Sequence, residues 1–257
     1  MTRIRHTARI AERGLRALLR QPAWVGITLV QPVIWLLLFG QLFTRVADIP
    51  GFTEGSYGDF LAPGVVVMTA ISTAGWAGMA LIDDMDRGVM DRFLVSPVWR
   101  PALTVGGVVQ TVLVIVVQSG IVLGLALLTG ARIANGVSGA VLLVAIAALL
   151  GASFAALSNG VALLARQRET LIGVVTTVVL PLTFVSSVYM QSSLLPHWMQ
   201  DAARFNPVAW AADAGRSAAI EPTDWSLVAT RVALLTALLI ACCTFATRAF
   251  GAYQRSR

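Results

Sequence analysis

Catalysis and ion coupling need side chains that can hold a proton, a nucleophile, a metal or a phosphate, and this chain has few of them. The only histidines, His6 and His197, fall on opposite sides of the apolar runs described below, so no convergent nucleophile and base or metal cluster can be built from them. His197 beside Trp198 has the character of an interfacial residue. Cys242 and Cys243 are adjacent, a spacing that rarely satisfies disulfide geometry, and they count as packing residues. Lysine is absent, which rules out a G-x-x-x-x-G-K-[ST] phosphate loop, so any ATP hydrolysis belongs to another chain. Proton or sodium coupling usually places a carboxylate or His in mid-membrane at a cost of roughly 2.5–3.5 kcal/mol. No apolar run here has one. Asp59, Asp83, Asp84 and Glu169 stand just outside the run ends, and Arg231, near the end of the last run, can snorkel to an interface. No catalytic residue and no metal site is assigned.

The polar side chains left within the runs are amides and hydroxyls: Gln31, Gln41, Gln110, Gln118, Ser72, Thr73, Ser153, Asn159, Thr176, Thr177 and Thr183. Interhelix hydrogen bonding is the simplest use for any one of them, and lining a passage is the other.

The elements that must position these groups follow from composition. Of 257 residues 57% are apolar and 12% charged, against about 25% charged in a soluble domain. The formal charge of +6 comes entirely from arginine. Because the arginines sit in short segments between apolar runs, they fit an anionic membrane surface, and nucleic acid is not an expected partner. Six runs are long enough to cross a ~30 Å hydrocarbon core: Val25 to Phe43, Phe60 to Leu81, Thr104 to Leu128, Val137 to Ala165, Leu171 to Met190 and Leu227 to Ala246. The first exceeds a signal-peptide core and lacks a small-x-small cleavage pair, so it is expected to remain as a span. The fourth, about 43 Å long as a helix, must tilt or project, and its Gly151 and Gly160 permit close helix contact.

Six spans put both termini on one side. With the N-terminus in the cytoplasm, that side receives Arg3, Arg5, Arg9, Arg13, Arg16, Arg20, Arg87, Arg92, Arg100, Arg166, Arg168, Arg248, Arg255 and Arg257 of the nineteen. Arg45, Arg132, Arg204, Arg216 and Arg231 then face outward, an asymmetry that favours cytoplasmic termini. Within residues 1–23, Arg5, Arg9, Arg13, Arg16 and Arg20 form one helical stripe and Ile4, Ala8, Ala11, Leu15 and Leu18 the opposite one. That segregation predicts an interfacial helix, although a basic topology anchor would also account for the arginines.

Two polar segments stand apart. From Ile82 to Arg100, Met85, Val89 and Phe93 recur every four residues, Asp83 and Asp84 suit a helix N-terminus, and Pro97 and Pro101 stop the pattern. This predicts a short amphipathic cytoplasmic helix able to dock on a soluble partner or to lie on the membrane. In the second, residues 191–225, Pro196 and Pro207 can each begin a short helix, giving two half-helices that dip into the outer leaflet. Trp198, Phe205 and Trp210 mark interface depth, and Asp213 and Arg216 are spaced to pair at i,i+3.

With its amphipathic start, Asp86-Arg87-Gly88-Val89-Met90-Asp91-Arg92 before Ser96-Pro97-Val98, and Leu195-Pro196, Trp198, Asn206-Pro207, Asp213 and Arg216, the sequence resembles the permease subunits of type 2 ATP-binding-cassette exporters, in the daunorubicin-resistance branch. The likeness covers essentially the whole chain, as one transmembrane permease domain over 1–257. It implies an all-helical membrane protein whose 82–100 segment is a coupling helix, with Asp83, Asp86, Arg87, Gly88, Asp91, Arg92 and Phe93 meeting the nucleotide-binding subunit. Val89 and Asp91 replace a usual Thr and Glu there. Pro196, Trp198, Asn206, Pro207, Asp213 and Arg216 would form an extracytoplasmic gate region. The resemblance further implies two permeases, this chain with a second copy or a related one, bound to two ATPase subunits that hold ATP and magnesium. Cargo would leave between the two bundles. An apolar bundle without cationic mid-span residues favours a hydrophobic or amphiphilic compound over a polysaccharide. The rivals are an ATP-independent carrier or channel, a polysaccharide or lipid export permease of the same family, and a membrane anchor without a passage.

Overall fold

The computed structural model describes residues 22–43, 56–88, 102–191, 194–220 and 222–255, and all regular structure among them is helical. We label the helices α1 (Pro22–Ile34), α2 (Tyr57–Gly75), α3 (Ala77–Asp86), α4 (Ala102–Leu128), α5 (Gly136–Ala165), α6 (Arg168–Phe184), α7 (His197–Ala203), α8 (Pro207–Ala219) and α9 (Trp225–Arg255). After α1 the chain continues as a π-helix, Trp35–Phe39, and one last turn, Gly40–Leu42. The amphipathic stretch 1–23 lies almost wholly outside the described residues.

Four helical stretches are long and apolar enough to cross a bilayer: Tyr57–Asp86, Val105–Leu128, Gly136–Ala165 and Trp225–Arg255. The first and fifth predicted runs are represented by shorter helices. The run from Leu171 was expected to stay helical to Met190, but α6 stops at Phe184. The reason lies in the partners of its carbonyls: those of Leu182 and Val185 accept from the Asn206 side-chain amide at 2.7 and 2.8 Å, so a further helical turn is not needed to satisfy them.

Helix α5 bears no charge over thirty residues and sits at the centre, packed by α2, α3, α4, α8 and α9. Small residues set these approaches, as expected where backbones must meet without a hydrophobic driving force. A side chain at Gly151 would strike Ile115 of α4, and one at Gly160 would come within 2.5 Å of the Phe245 ring of α9. Helix α2 is buried on nearly every side, with Phe60, Leu61, Val65, Val66, Ala70 and Ile71 fully enclosed. It begins with a capping box in which Ser56 and Asp59 exchange hydrogen bonds, and Asp59 also accepts from the Arg132 N–H at 2.5 Å.

Between α2 and α3 the helix breaks at Trp76. The hydroxyl of Ser158 on α5 spans the break, donating to the Gly75 carbonyl at 2.6 Å and accepting from the Gly78 N–H at 3.0 Å. Of the mid-run polar residues, Thr73, Gln118 and Thr28 form a chain across α2, α4 and α1: the Thr73 hydroxyl donates to Gln118 Oε1 at 2.7 Å, and Gln118 Nε2 donates to Thr28 Oγ1 at 2.9 Å. Ser153, Thr176 and Thr183 instead bond carbonyls of their own helices.

Candidate functional site

The candidate residues divide between the two ends of the bundle. At the end holding Asp59 and Arg132, Asn206 caps α8 by accepting from the Val208 N–H at 2.9 Å, and Pro207 fills the first helical position, where a missing N–H costs nothing. Pro196 is the cap of α7. Both half-helices therefore start where the proline spacing predicts. Trp198 projects from α7 with 65% of its surface exposed, away from the buried cluster around Arg216.

Arg216 is 5% exposed. Its Nε donates to the Phe60 carbonyl at 3.2 Å, and Nη2 donates to the carbonyls of Val188, at 3.1 Å, and Ser187. The guanidinium carbon stands 3.7 Å from the centre of the Phe60 ring. Asp213 lies one turn away at 4.0 Å, accepts from the Ser187 hydroxyl at 2.7 Å, and takes Arg231 on its other oxygen at 3.4 Å. Arg231, read from the sequence as able to snorkel, is paired with Asp213. The carboxylate on α8 is the nearer countercharge, and pairing there removes the cost of an isolated ion near the end of α9.

The guanidinium ties together the start of α2, α8 and the turn that follows α6. That turn lies so close to α2 that a side chain on Gly64 would collide with the Val188 carbonyl. Tyr57 donates to the Tyr189 carbonyl at 3.1 Å, and Tyr189 stacks against Trp35 at 4.9 Å between centroids. Below it a groove of about 210 Å³ opens between α1, α2 and α6, with Gln31, Trp35, Ser72, Trp76 and Thr176 in its wall. Phe60, Ser187, Val188, Tyr189 and Arg231 were not among the predicted site residues.

At the opposite end, Asp83 and Asp86 occupy the last turns of α3, which ends at Arg87 and Gly88. The sequence placed Asp83 and Asp84 at the start of a separate helix, and this is corrected: Leu81 and Ile82 are buried, so the apolar packing carries the span's helix past them. Carboxylates at a helix C-terminus face the negative end of its dipole and need a cation. Arg168, the first residue of α6, supplies one. Its Nη2 lies 2.7 Å from Asp83 Oδ1 and 3.1 Å from Asp86 Oδ2. Gly88 has φ +67°, the left-handed region, and its N–H bonds the Met85 carbonyl at 3.0 Å. Arg166, also left-handed at φ +55°, places its guanidinium 4.8 Å from the Tyr253 ring of α9. Asp91, Arg92 and Phe93 lie outside the described residues. Among the described residues no three His, Cys, Asp or Glu side chains cluster as metal ligands.

The described residues thus form an all-helical bundle with membrane-spanning candidates and a polar cluster at each end. A family model for ABC-2 type transporters matches residues 6–220, and the chain belongs to that family. It is similar to the daunorubicin resistance ABC transporter permease protein DrrB1 of Streptomyces coeruleorubidus, with 31% identity over 205 residues, 79% of this chain and 71% of that protein. It is also similar to the inner membrane transport permease YadH of Escherichia coli K12, with 29% identity over 242 residues, 89% of this chain and 90% of that one. The chain is the membrane permease of an ABC transporter and not an enzyme, and ATP hydrolysis lies on a partner subunit.

Proposed function

We propose that this permease exports a hydrophobic or amphiphilic compound, driven by ATP hydrolysis on two partner subunits and paired with a second copy of itself or a related permease. The observation that carries the reading is the helix Tyr57–Asp86, on which both candidate regions hang. Its first turns receive Arg216 through the Phe60 carbonyl, and its last turns present Asp83 and Asp86. Together α2 and α3 span thirty residues, about 45 Å of helix with the break at Trp76 between them, longer than the ~30 Å hydrocarbon core, so the two ends reach opposite faces of the membrane. A push on the docking end, at Asp83 to Phe93, reaches the gate region of Pro196, Trp198, Asn206, Pro207, Asp213 and Arg216 through α3 and α2 in succession, across the break at Trp76.

In this reading the chain is a single permease domain over 1–257 with six spans, α1 with its π-helical continuation and α6 being the shorter two. Both termini and the 82–100 segment are cytoplasmic, α7 and α8 are the outer half-helices, and residues 1–23 lie along the inner interface. ATP and magnesium are held by the partner. The name of the daunorubicin resistance permease supports an amphiphilic drug as the cargo class, as does the groove beside Trp35 and Trp76, whose wall includes no charged side chain.

The test is to purify the tagged chain in mild detergent and ask whether an ATP-hydrolysing subunit accompanies it in about equal amount. Gly88→Pro serves as the internal control, because proline cannot adopt the positive φ at that position. Co-purification lost in G88P supports the exporter. A lone chain whose transport of daunorubicin survives ATP depletion while ion gradients persist would establish a secondary carrier instead.

A further inference from the structure

We infer that Arg168 is a positioning residue of this transporter: by bridging Asp83 and Asp86 it ties α6 to the docking end of α3, so that movement of the docking segment is delivered to α6 as well as to α2. The inference rests on the docking role proposed for Asp83 to Phe93.

Three observations lead to it. First, α3 is a separate lever, because the helix breaks at Trp76 and, among the described residues, the gap is spanned by side-chain hydrogen bonds of the Ser158 hydroxyl alone. Second, α6 touches both sides of that break. A side chain on Gly75, above it, would meet Val175 Cγ1 at 2.9 Å. Below it, Leu171 packs with Leu81 and Ile82, and Arg168 closes on the two aspartates. The apolar contact is non-directional and permits sliding. The bridge has direction and fixes which turn of α3 faces the start of α6. Third, the arginine and both aspartates are about half exposed, and exposed pairs of this kind add little to stability. What such a bridge changes is geometry, and it can open and close within one cycle.

The consequence falls on the groove. Thr176 and Val179 of α6 and Trp76 at the break share its wall, with Thr176 about 12 Å along the helix from Arg168. A swing of α3 about Trp76 that also draws α6 changes the groove from both walls. Without Arg168 only one wall follows.

The test uses the permease with its ATPase partner in lipid nanodiscs. Spin labels are placed at Gly173 on α6 and Ile240 on α9, both exposed, after Cys242 and Cys243 are replaced, and complexes are doped with unlabelled chain. With a non-hydrolysable ATP analogue and magnesium, the parent shows a shifted Gly173–Ile240 distance relative to the nucleotide-free state. In Arg168→Gln that shift falls to less than half while the ATPase subunit stays bound, and Arg168→Lys, which keeps the charge, restores most of it. A merely structural arginine would leave the nucleotide-dependent shift intact. A full shift in R168Q, no shift in the parent, or loss of the ATPase subunit from R168Q alone would each overturn the inference. A parent chain that binds no ATPase subunit would instead sink the proposed function beneath it.

Discussion

Arg216 brings a full charge into a space where Asp213, its neighbour one turn away, is shared with Arg231. It also donates to three backbone carbonyls, and they are what the charge holds in place. Replacing it with Met preserves bulk but removes the donor that those oxygens share. We expect a loss of about 3 kcal/mol, the low end for breaking a buried ionic contact because Asp213 keeps Arg231. Arg216→Lys should lose less, since an ammonium retains charge but cannot reach all three oxygens. Thermal unfolding in detergent measures both, and an unchanged midpoint for R216M would contradict the assignment. Asp224, ahead of α9, gives a pH test. Its carboxylate accepts from the Leu227 N–H, the Ser226 hydroxyl and the Ser226 N–H, and these bonds hold its pKa below the ordinary aspartate value. A depressed folded pKa means the cap is fully present at neutral pH and is lost as pH falls through that value. The protection of the Leu227 amide, measured as exchange relative to its intrinsic rate at each pH, should therefore fall in acid in the parent, and in Asp224→Ala should be low throughout. The Asp213–Arg216 pair was legible because both residues stand on one helix at i,i+3 spacing. The carbonyls of Phe60, Ser187 and Val188 were not, because a backbone oxygen has no residue type to betray it. The pairing of Arg231 with Asp213 was hidden for a related reason: its partner lies on a different helix.

At the scale of elements, the break in the second span and the approach of the turn 185–190 to α2 each depend on one small residue. Ser158→Ala would strip the Gly75 carbonyl and the Gly78 N–H of their shared partner in a buried position, at a cost of about 2 kcal/mol. Because Ser158 lies under the lever, substrate-stimulated ATPase activity, with daunorubicin as probe, should fall more than basal activity. Equal loss of both would mean that the hydroxyl serves only stability. Gly64→Ala would press a methyl group into the Val188 carbonyl, and since that neighbour is backbone it can yield only if the whole turn moves. The expected destabilisation is 1–3 kcal/mol, about the range for overpacking, with Gly173→Ala, which meets nothing, as the silent control. Helix starts were legible where a proline stood at or before the first helical position, as at Pro196 and Asn206-Pro207, while Asp83 and Asp84 announced a start that the structure does not have. Two features had no such signal. The π-helical stretch Trp35–Phe39 is a run of bulky apolar residues indistinguishable from α-helix by pattern. The end of α6 was hidden because Val185 to Met190 stays mostly apolar while its backbone bonds leave the helix for Asn206 and Arg216.

For the whole molecule, geometry fixes which groups share an end and charge decides which side each end faces. The bonds from Asp59 to Arg132 and from Asn135 to Thr223 gather the start of α2, the α4–α5 turn and the start of α9 at one end. Arg168 with Asp83, and Arg166 with Tyr253, gather the end of α3, the α5–α6 turn and the end of α9 at the other. Among the described residues the second end holds Arg87, Arg166, Arg168, Arg248 and Arg255, and the first holds Arg132, Arg204, Arg216 and Arg231, so the described arginines alone barely separate the two. The decisive asymmetry comes from the six arginines of residues 1–23 together with Arg92, Arg100 and Arg257, all joined in sequence to the second end. The orientation therefore predicts labelling. In a cysteine-free background, single cysteines at Ser138 or Asp201 should react with an impermeant maleimide in intact cells, while those at Glu169 or Arg255 should react only after permeabilisation. The reverse pattern would place Asp83 and Asp86 outside the cell, where no ATP-bound subunit could dock on them. It would thus remove the coupling mechanism while leaving the fold and the family membership untouched.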